Sequence, residues 1–144
     1  MNSYRRFTSD PFSPSAVNWG VDNRTCAVRV VGTEASLRVE NRIPGSDANP
    51  YLAVAATIAA GLDGTNRKAQ LPAAVVGDGH RADSPPLPSS LEEALTAWTE
   101  SDWVGDTFGT DVQDHYANLA RIEIAAAGTD STLDAERARY FDSS

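Results

Sequence analysis

The 144-residue sequence has one cysteine, one methionine, one lysine and two histidines. A lone thiol, Cys26, makes no intramolecular disulfide. With His80 and His115 as the only imidazoles, a self-contained His/Cys zinc site is excluded as well. Long apolar runs are missing too. The most apolar stretch, residues 51–62, is far too short to span a bilayer. Arg5-Arg6-Phe7 is followed by no apolar segment, so it does not read as a twin-arginine signal. A reduced, cytoplasmic setting is the expectation. Positive charge is absent where nucleic acid or anionic lipid would need it: residues 91–144 hold three arginines against twelve acids. Neither is expected as a partner.

What is present suits one globular domain with a real core: 41% hydrophobic and 22% charged residues, with a net charge of −8. No repeat or heptad pattern runs through it. Residues 1–20, interrupted by Pro11 and Pro14, read as an extended loop. Residues 25–31 and 36–43 read as two strands joined by a short turn, hence antiparallel neighbours. Asn49 and Pro50 predict an N-cap and first helical position. The helix they open should run to about Leu62. Its alanines, Ala53, Ala55, Ala56, Ala59 and Ala60, leave little polar surface and predict burial. Residues 72–89 form a long Pro- and Gly-bearing loop. Ser90 with Glu93 has the spacing of a capping box opening a helix. Further helices are expected around 102–108, 111–127 and 133–141. Cys26, Trp98, Trp103, His115 and Tyr116 read as packing or surface residues, and Gly77-Asp78-Gly79 lacks the context of a phosphate loop.

The strand Leu37-Arg38-Val39-Glu40-Asn41-Arg42 alternates. Leu37 and Val39 share one face; Arg38, Glu40 and Arg42 share the other, about 7 Å apart at a rise near 3.3 Å per residue. Two guanidiniums flanking a carboxylate suit an anionic ligand with a cation beside it. A solvated face of mutually neutralising charges has the same pattern and is common in sheets. Arginine outnumbers lysine eleven to one. That fits recognition of several anionic groups, and it fits arginine-favouring codon usage equally. Arg24 and Arg29 are an odd number of positions apart, so either a bulge intervenes or Arg24 precedes the strand.

Several stretches together resemble a known family. They are Asn2-Ser3-Tyr4-Arg5-Arg6, Asp22-Asn23-Arg24-Thr25-Cys26-Ala27-Val28-Arg29, Arg38-Val39-Glu40-Asn41-Arg42-Ile43-Pro44-Gly45-Ser46-Asp47-Ala48-Asn49-Pro50-Tyr51-Leu52 and Ala60-Gly61-Leu62-Asp63-Gly64. In order and in most spacings they look like the glutamine synthetase family, along essentially the whole chain. The resemblance implies an α+β fold: the C-terminal portion of that family's catalytic domain, an antiparallel β-hairpin followed mainly by α-helices, spanning 1–144. It implies ATP-dependent joining of glutamate's γ-carboxylate to ammonia or an organic amine through γ-glutamyl phosphate, in a homo-oligomeric ring. By carry-over, Arg24 would be catalytic, stabilising the transferring phosphoryl group and meeting both glutamate and ATP. Arg6 and Arg42 would bind glutamate, Arg29 and Arg38 would bind ATP phosphates, and Glu40 would be a ligand of Mg²⁺ or Mn²⁺.

Two departures stand out. Ammonium-using members resemble one another in carrying a glutamate six residues after the Arg6 equivalent; Phe12 stands there. Trp19-Gly20-Val21-Asp22-Asn23-Arg24-Thr25 also looks closer to the γ-glutamylpolyamine and γ-glutamylamide synthetase branch, so an organic amine is the favoured acceptor, with a register shift placing Asp10 at that position as the alternative. His80 stands where a tyrosine would be sought for regulation by adenylylation. Second, the family's N-terminal β-grasp domain and the first half of its catalytic domain, with the other metal ligands, have no counterpart in these residues. The expectation is a C-terminal fragment, inactive alone. The alternative is a non-catalytic truncated paralogue that binds or modulates full-length synthetase.

Overall fold

A computed structural model describes residues 2–128 and 132–140. The chain divides into two compact units, Arg5–Leu87 and Met1–Tyr4 with Pro88–Ser144. The fold is α+β, as expected, with one small sheet and six α-helices among the described residues.

In Arg5–Leu87, three strands lie in the order β1 (Trp19–Val21), β2 (Val28–Val31) and β3 (Arg38–Asn41). β2 and β3 are the expected antiparallel pair, with Arg29 opposite Glu40 and Val30 opposite Val39. The turn between them needs Gly32: its φ is +91°, and an added Cβ would lie 2.2 Å from the Ser36 carbonyl oxygen. β1 corrects the reading of residues 1–20 as loop. It pairs parallel to β2, Trp19 opposite Val28. Parallel neighbours ordinarily need a crossover of a dozen or more residues. Here the short link is held by Asn18, whose backbone oxygen accepts from Val28 N (3.0 Å) and whose side-chain oxygen accepts from Ala27 N (3.2 Å). No periodicity in three residues signals such a strand.

The opening loop is corrected a second time by α1 (Asn2–Ser9). Eight mostly polar residues are too few to hold a helix in isolation. Tertiary bonds supply the difference: the Arg6 guanidinium donates to the backbone oxygens of Pro44 (3.3 Å), Arg42 (3.4 Å) and Ile43.

α2 (Pro50–Asn66) begins as predicted, with Asn49 Oδ1 accepting from Tyr51 N and Leu52 N. It runs on to Asn66 instead of ending near Leu62. Gly61 and Gly64 each cost about 1 kcal/mol relative to alanine, and neither terminates it. Asp63 and Arg67 pair one turn apart at its end, 2.5 Å. The predicted burial is wrong: α2 has no buried residue.

The helical unit contains α3 (Leu91–Thr99), α4 (Asp102–Phe108), α5 (Thr110–Ala127) and α6 (Leu133–Tyr140), close to the predicted spans; Phe141 lies outside the described residues. The capping box is shifted by one. Ser90 Oγ accepts from Glu93 N, but Glu93 Oε2 accepts from Ser89 N (2.8 Å) and Ser89 Oγ. Trp98 stacks on Phe108 and meets Tyr116 edge-on, both at 6.1 Å. Its Nε1 donates to Gln113 O (2.9 Å), and Gln113 Nε2 returns a bond to Trp98 O (2.8 Å).

Candidate active site

The arginines named from the sequence all lie in the unit Arg5–Leu87, and they fall into three settings. The first is a charge row on one face of the sheet. Arg29 Nη1 donates to Glu40 Oε2 and Arg38 Nη2 to Glu40 Oε1, each 3.0 Å; Arg29 also pairs with Asp22. The flanking of Glu40 by two guanidiniums is thus real, but the partners are Arg29 and Arg38. Arg42 lies beyond β3 and turns elsewhere. Asp22 holds its place at φ +48°, a left-handed conformation that Asp tolerates better than most residues. Hydrogen bonding and charge from Arg29 hold the Asp22 carboxyl below the usual carboxylate range. Partial desolvation pushes Glu40 up, and the hydrogen bonds and charges of Arg29 and Arg38 outweigh it, leaving Glu40 below its ordinary value. Both carboxylates are ionised at neutral pH.

The second setting is a brace. Arg42 Nη2 donates to Phe12 O (2.8 Å) and its Nε to Arg24 O (3.2 Å), tying the 10–16 loop to the 22–25 loop. Arg6 grips the carbonyls at 42–44, while its own Nε is buried without a hydrogen-bond partner.

The third is a cleft of about 650 Å³ lined by Phe12, Asp22, Arg24, Arg29 and Val76. Arg24 precedes β2, which settles the odd spacing to Arg29. Its guanidinium makes no hydrogen bond or ion pair among the described residues. Phe12 is 56% exposed there. A free cation with an aromatic ring on the same open wall can take an anionic group and an apolar one together.

Sequence reasoning missed the residues that set this spacing. Asn23 Oδ1 accepts from Thr25 N and Oγ1, while its Nδ2 donates to Gly77 O (2.8 Å). Thr25 Oγ1 accepts from Gly79 N (2.7 Å). A Cβ on Gly79 would lie 2.8 Å from Thr25 O, so only glycine allows this approach. His80, next along, reaches the other loop: Nε2 donates to Pro11 O (3.1 Å) and Nδ1 meets Ser15 Oγ (2.9 Å). A single turn, Gly79–Arg81, therefore holds the loops of Arg24 and Phe12. These partners are more than fifty residues away in sequence, and no local pattern announces them.

A divalent ion needs about six oxygen ligands. Glu40 offers one carboxylate, and both its oxygens already accept from arginine. No group of three or more His, Cys, Asp or Glu side chains gathers among the described residues. These residues do not form a metal site by themselves.

The chain as a whole matches the glutamine synthetase catalytic-domain model over residues 1–140, and it belongs to that family. It is 48% identical over 142 residues to the gamma-glutamylethanolamide synthetase of Streptomyces coelicolor, covering 99% of this chain and 30% of the relative. It is 36% identical to the glutamate–isopropylamine ligase of a Pseudomonas species, covering 99% of this chain and 32% of the relative. With the gamma-glutamylputrescine synthetase of Escherichia coli, identity is 38% over 75% of this chain and 24% of the relative. Among solved structures, ligand-free GmaS superposes with a TM-score of 0.77 at 32% identity, covering 98% of this chain and 32% of that one. The chain spans about a third or less of the length of the relatives it matches.

Proposed function

We propose that this chain supplies the arginine wall of an ATP-dependent ligase that joins the γ-carboxylate of glutamate to an organic amine. The observation that carries this reading is the cleft in which the unpaired guanidinium of Arg24 shares a wall with the exposed ring of Phe12. A carboxylate oxygen of glutamate attacks the γ-phosphorus of ATP, the bond to the bridging oxygen breaks, and ADP leaves. The amine nitrogen then attacks the acyl carbon of γ-glutamyl phosphate, the C–O bond to phosphate breaks, and one proton passes from nitrogen to solvent. Little covalent work falls to the protein in phosphoryl transfer; it positions groups and stabilises charge. Arg24 faces the transferring phosphoryl group. Arg29 and Arg38 hold ATP phosphates and Arg6 and Arg42 hold glutamate; with its two arginines turned to phosphate, Glu40 would be free to give one oxygen ligand to Mg²⁺ or Mn²⁺. The ion would neutralise phosphate charge. The remaining ligands come from polypeptide outside this chain. The assembled enzyme is a cytoplasmic homo-oligomeric ring.

The preference for an organic amine rests on Phe12. An aromatic ring neither attracts ammonium as a carboxylate does nor accepts its proton, and the carboxylate that lines the cleft, Asp22, is engaged by Arg29. Phe12 offers contact to carbon substituents. The relatives named for ethanolamide, isopropylamine and putrescine chemistry support the same choice. A second reading is a non-catalytic module that docks on full-length synthetase; the engagement of both carboxylates of the arginine row, Asp22 and Glu40, by arginine favours it.

The test mixes this chain with the part of the Streptomyces relative outside the matched stretch, with Mg-ATP, glutamate, ammonium, ethanolamine and isopropylamine. Mass spectrometry of products and ADP release is the readout. The ligase reading expects γ-glutamyl amides of an organic amine in excess over glutamine, and no ADP release from the isolated chain. Glutamine as sole product overturns the acceptor assignment. A complex that forms but releases no ADP transfers the case to the docking module.

A further inference from the structure

Arg29's hold on Asp22 is one-sided. Arg29 Nε donates to Asp22 Oδ1 (3.1 Å), and Nη2 donates to the same oxygen. Among the described residues, Oδ2 has no hydrogen-bond or ion-pair partner. The side chain is 69% exposed, in the cleft it shares with Phe12, Arg24 and Val76. Asp22 is the one acidic residue on that lining among the described residues.

The backbone places it there. Asp22 N donates to Val30 O (2.9 Å), carrying the pairing with β2 one residue past the end of β1. The left-handed φ of +48° then turns the chain into the loop that bears Arg24. Hydrogen bonding and charge from Arg29 keep the carboxyl ionised. An ionised carboxylate offers about four lone-pair sites, and Arg29 fills two, both on Oδ1. The free oxygen can accept from a cation without taking its proton.

The surroundings choose among cations. A divalent ion needs about six oxygens and finds one here. A guanidinium pairs best with both oxygens of a carboxylate, and Oδ1 is taken. An alkylammonium needs one good acceptor and an apolar surface for its carbon group. Phe12 supplies that surface, and so does Val76, 96% exposed on the same cleft. A bare ammonium would use the oxygen alone. Arg24 and Arg29 outweigh Asp22 by one charge on this wall. The phosphoryl group that Arg24 faces in the ligase offsets that excess.

We infer that Asp22 Oδ2 is the seat of the acceptor: it receives the ammonium form of a primary alkylamine, whose carbon substituent lies toward Phe12 and Val76. The bound ammonium loses one proton to solvent, and its nitrogen then attacks the acyl carbon as described above. The role as acceptor seat rests on the ligase reading; the binding of an alkylammonium does not.

The test begins with the whole chain in inorganic phosphate. Isopropylammonium chloride is added against sodium chloride at equal ionic strength, with the Asp22 carboxyl and the Phe12 ring followed by NMR. Both signals should shift together and saturate. Isopropanol, similar in shape and uncharged, should shift neither. Asp22→Asn keeps Oδ1 for Arg29, suits the left-handed backbone and puts an N–H donor where Oδ2 was. It should abolish the saturable shift of the ring. Circular dichroism checks that the variant keeps its fold. In the reconstituted ligase, Asp22→Asn should raise the KM for isopropylamine and for ethanolamine about fivefold, the scale of an ion pair at an open site. Turnover and the glutamate and ATP requirements should stay within about twofold. No response of the parent to isopropylammonium overturns the inference. So does an unchanged amine KM in Asp22→Asn, or a loss confined to ethanolamine, whose hydroxyl would then be the bound group. An equal rise in the ATP requirement also overturns it, making Asp22 a prop for Arg29. Saturable binding that Asp22→Asn abolishes, in a mixture that makes no product, removes the ligase reading and keeps Asp22 as an ammonium seat.

Discussion

The helical unit and the arginine-bearing unit use their apolar residues in opposite ways. In Pro88–Ser144, Trp98, Trp103, Phe108 and Tyr116 turn toward one another, with Val104 and Ala117 buried beside them. In Arg5–Leu87, the fully enclosed residues are few and small, Pro14 and Cys26 among them, while Tyr51, Val54, Ile58 and Leu62 stand out from α2 into solvent. The first unit gathers its aromatic side chains and leaves Leu119 and Ile122 as its exposed large apolar residues. The second, which holds every arginine assigned a chemical role, leaves much of its apolar surface uncovered. The part of this chain that leaves its apolar side chains uncovered is also the part that carries those arginines.

The sharpest way to break that comparison is to truncate one large side chain in each unit. Trp98→Ala removes the ring at the centre of the aromatic cluster and the donor to Gln113 O, and should cost about 3 kcal/mol or more in urea unfolding. Val54→Ser on α2 should stay within about 0.5 kcal/mol in the isolated chain, because an exposed apolar side chain has little burial to lose. Equal losses at the two sites would mean that α2 is covered in solution.

Next in size is Arg24→Ala, measured in the reconstituted ligase. Loss of a group that stabilises transition-state charge should lower turnover about a hundredfold with little change in the glutamate requirement. The melting temperature of the chain should move little, since no hydrogen bond or ion pair of the guanidinium is lost and only its charge reaches Asp22. Arg6→Ala should behave differently on both counts. It removes bonds to three carbonyls and so lowers stability as well as raising the glutamate requirement. A fall in stability from Arg24→Ala, or kinetic effects shared equally between turnover and glutamate binding in both variants, would contradict these roles.

Legibility followed the same division. Helices with local signals were readable: Asn49 and Pro50 opened α2, Ser90 opened α3, and 3.6-residue spacing marked α5. The alternation around Glu40 gave β3 and the shared face of Arg38 and Glu40, but it also put Arg42 there, which lies beyond the strand and braces two loops. What escaped was fixed by distant partners. α1 depends on Arg6 reaching the carbonyls at 42–44, and β1 on the side chain of Asn18. The exposure of α2 was misread because an alanine-rich helix is buried only when something exists to bury it. Within the site, the family resemblance named the arginines. Nothing local singled out Gly79 and His80, which space the two loops.

Phe12→Glu sharpens the contrast inside the arginine unit. The ring is a surface for a carbon substituent and the carboxylate a surface for ammonium. The substitution should raise the share of glutamine among products by about tenfold, the scale of one modest pocket contact. His80→Ala should loosen the same loop, raising the KM for the amine while sparing turnover, and His80→Gln, which can still donate to Pro11 O, should recover part of it. An unchanged product ratio from Phe12→Glu would remove Phe12 from the acceptor pocket.

The smallest effect separates the two units by the origin of their depressed carboxyls. Asp22 and Glu40 owe theirs to arginine neighbours, whereas Glu93 owes its own first to a backbone hydrogen bond from Ser89. A folded-state value below the unfolded one adds stability that is complete above the ordinary carboxylate range, near about 4. That stability disappears as pH falls through the depressed folded value. All three groups should therefore titrate below the ordinary range when followed by carboxyl NMR. Salt should then divide them. The Arg29 pairs are open to ions, and at about 1 M salt, where the screening length is about 3 Å, Asp22 should move back toward its ordinary value. Glu93, held by a short directional bond and no cation, should stay where it is. If Asp22 and Glu93 shift together, the row of arginine pairs is no more electrostatic than a helix cap, and the contrast between the units lies in packing alone.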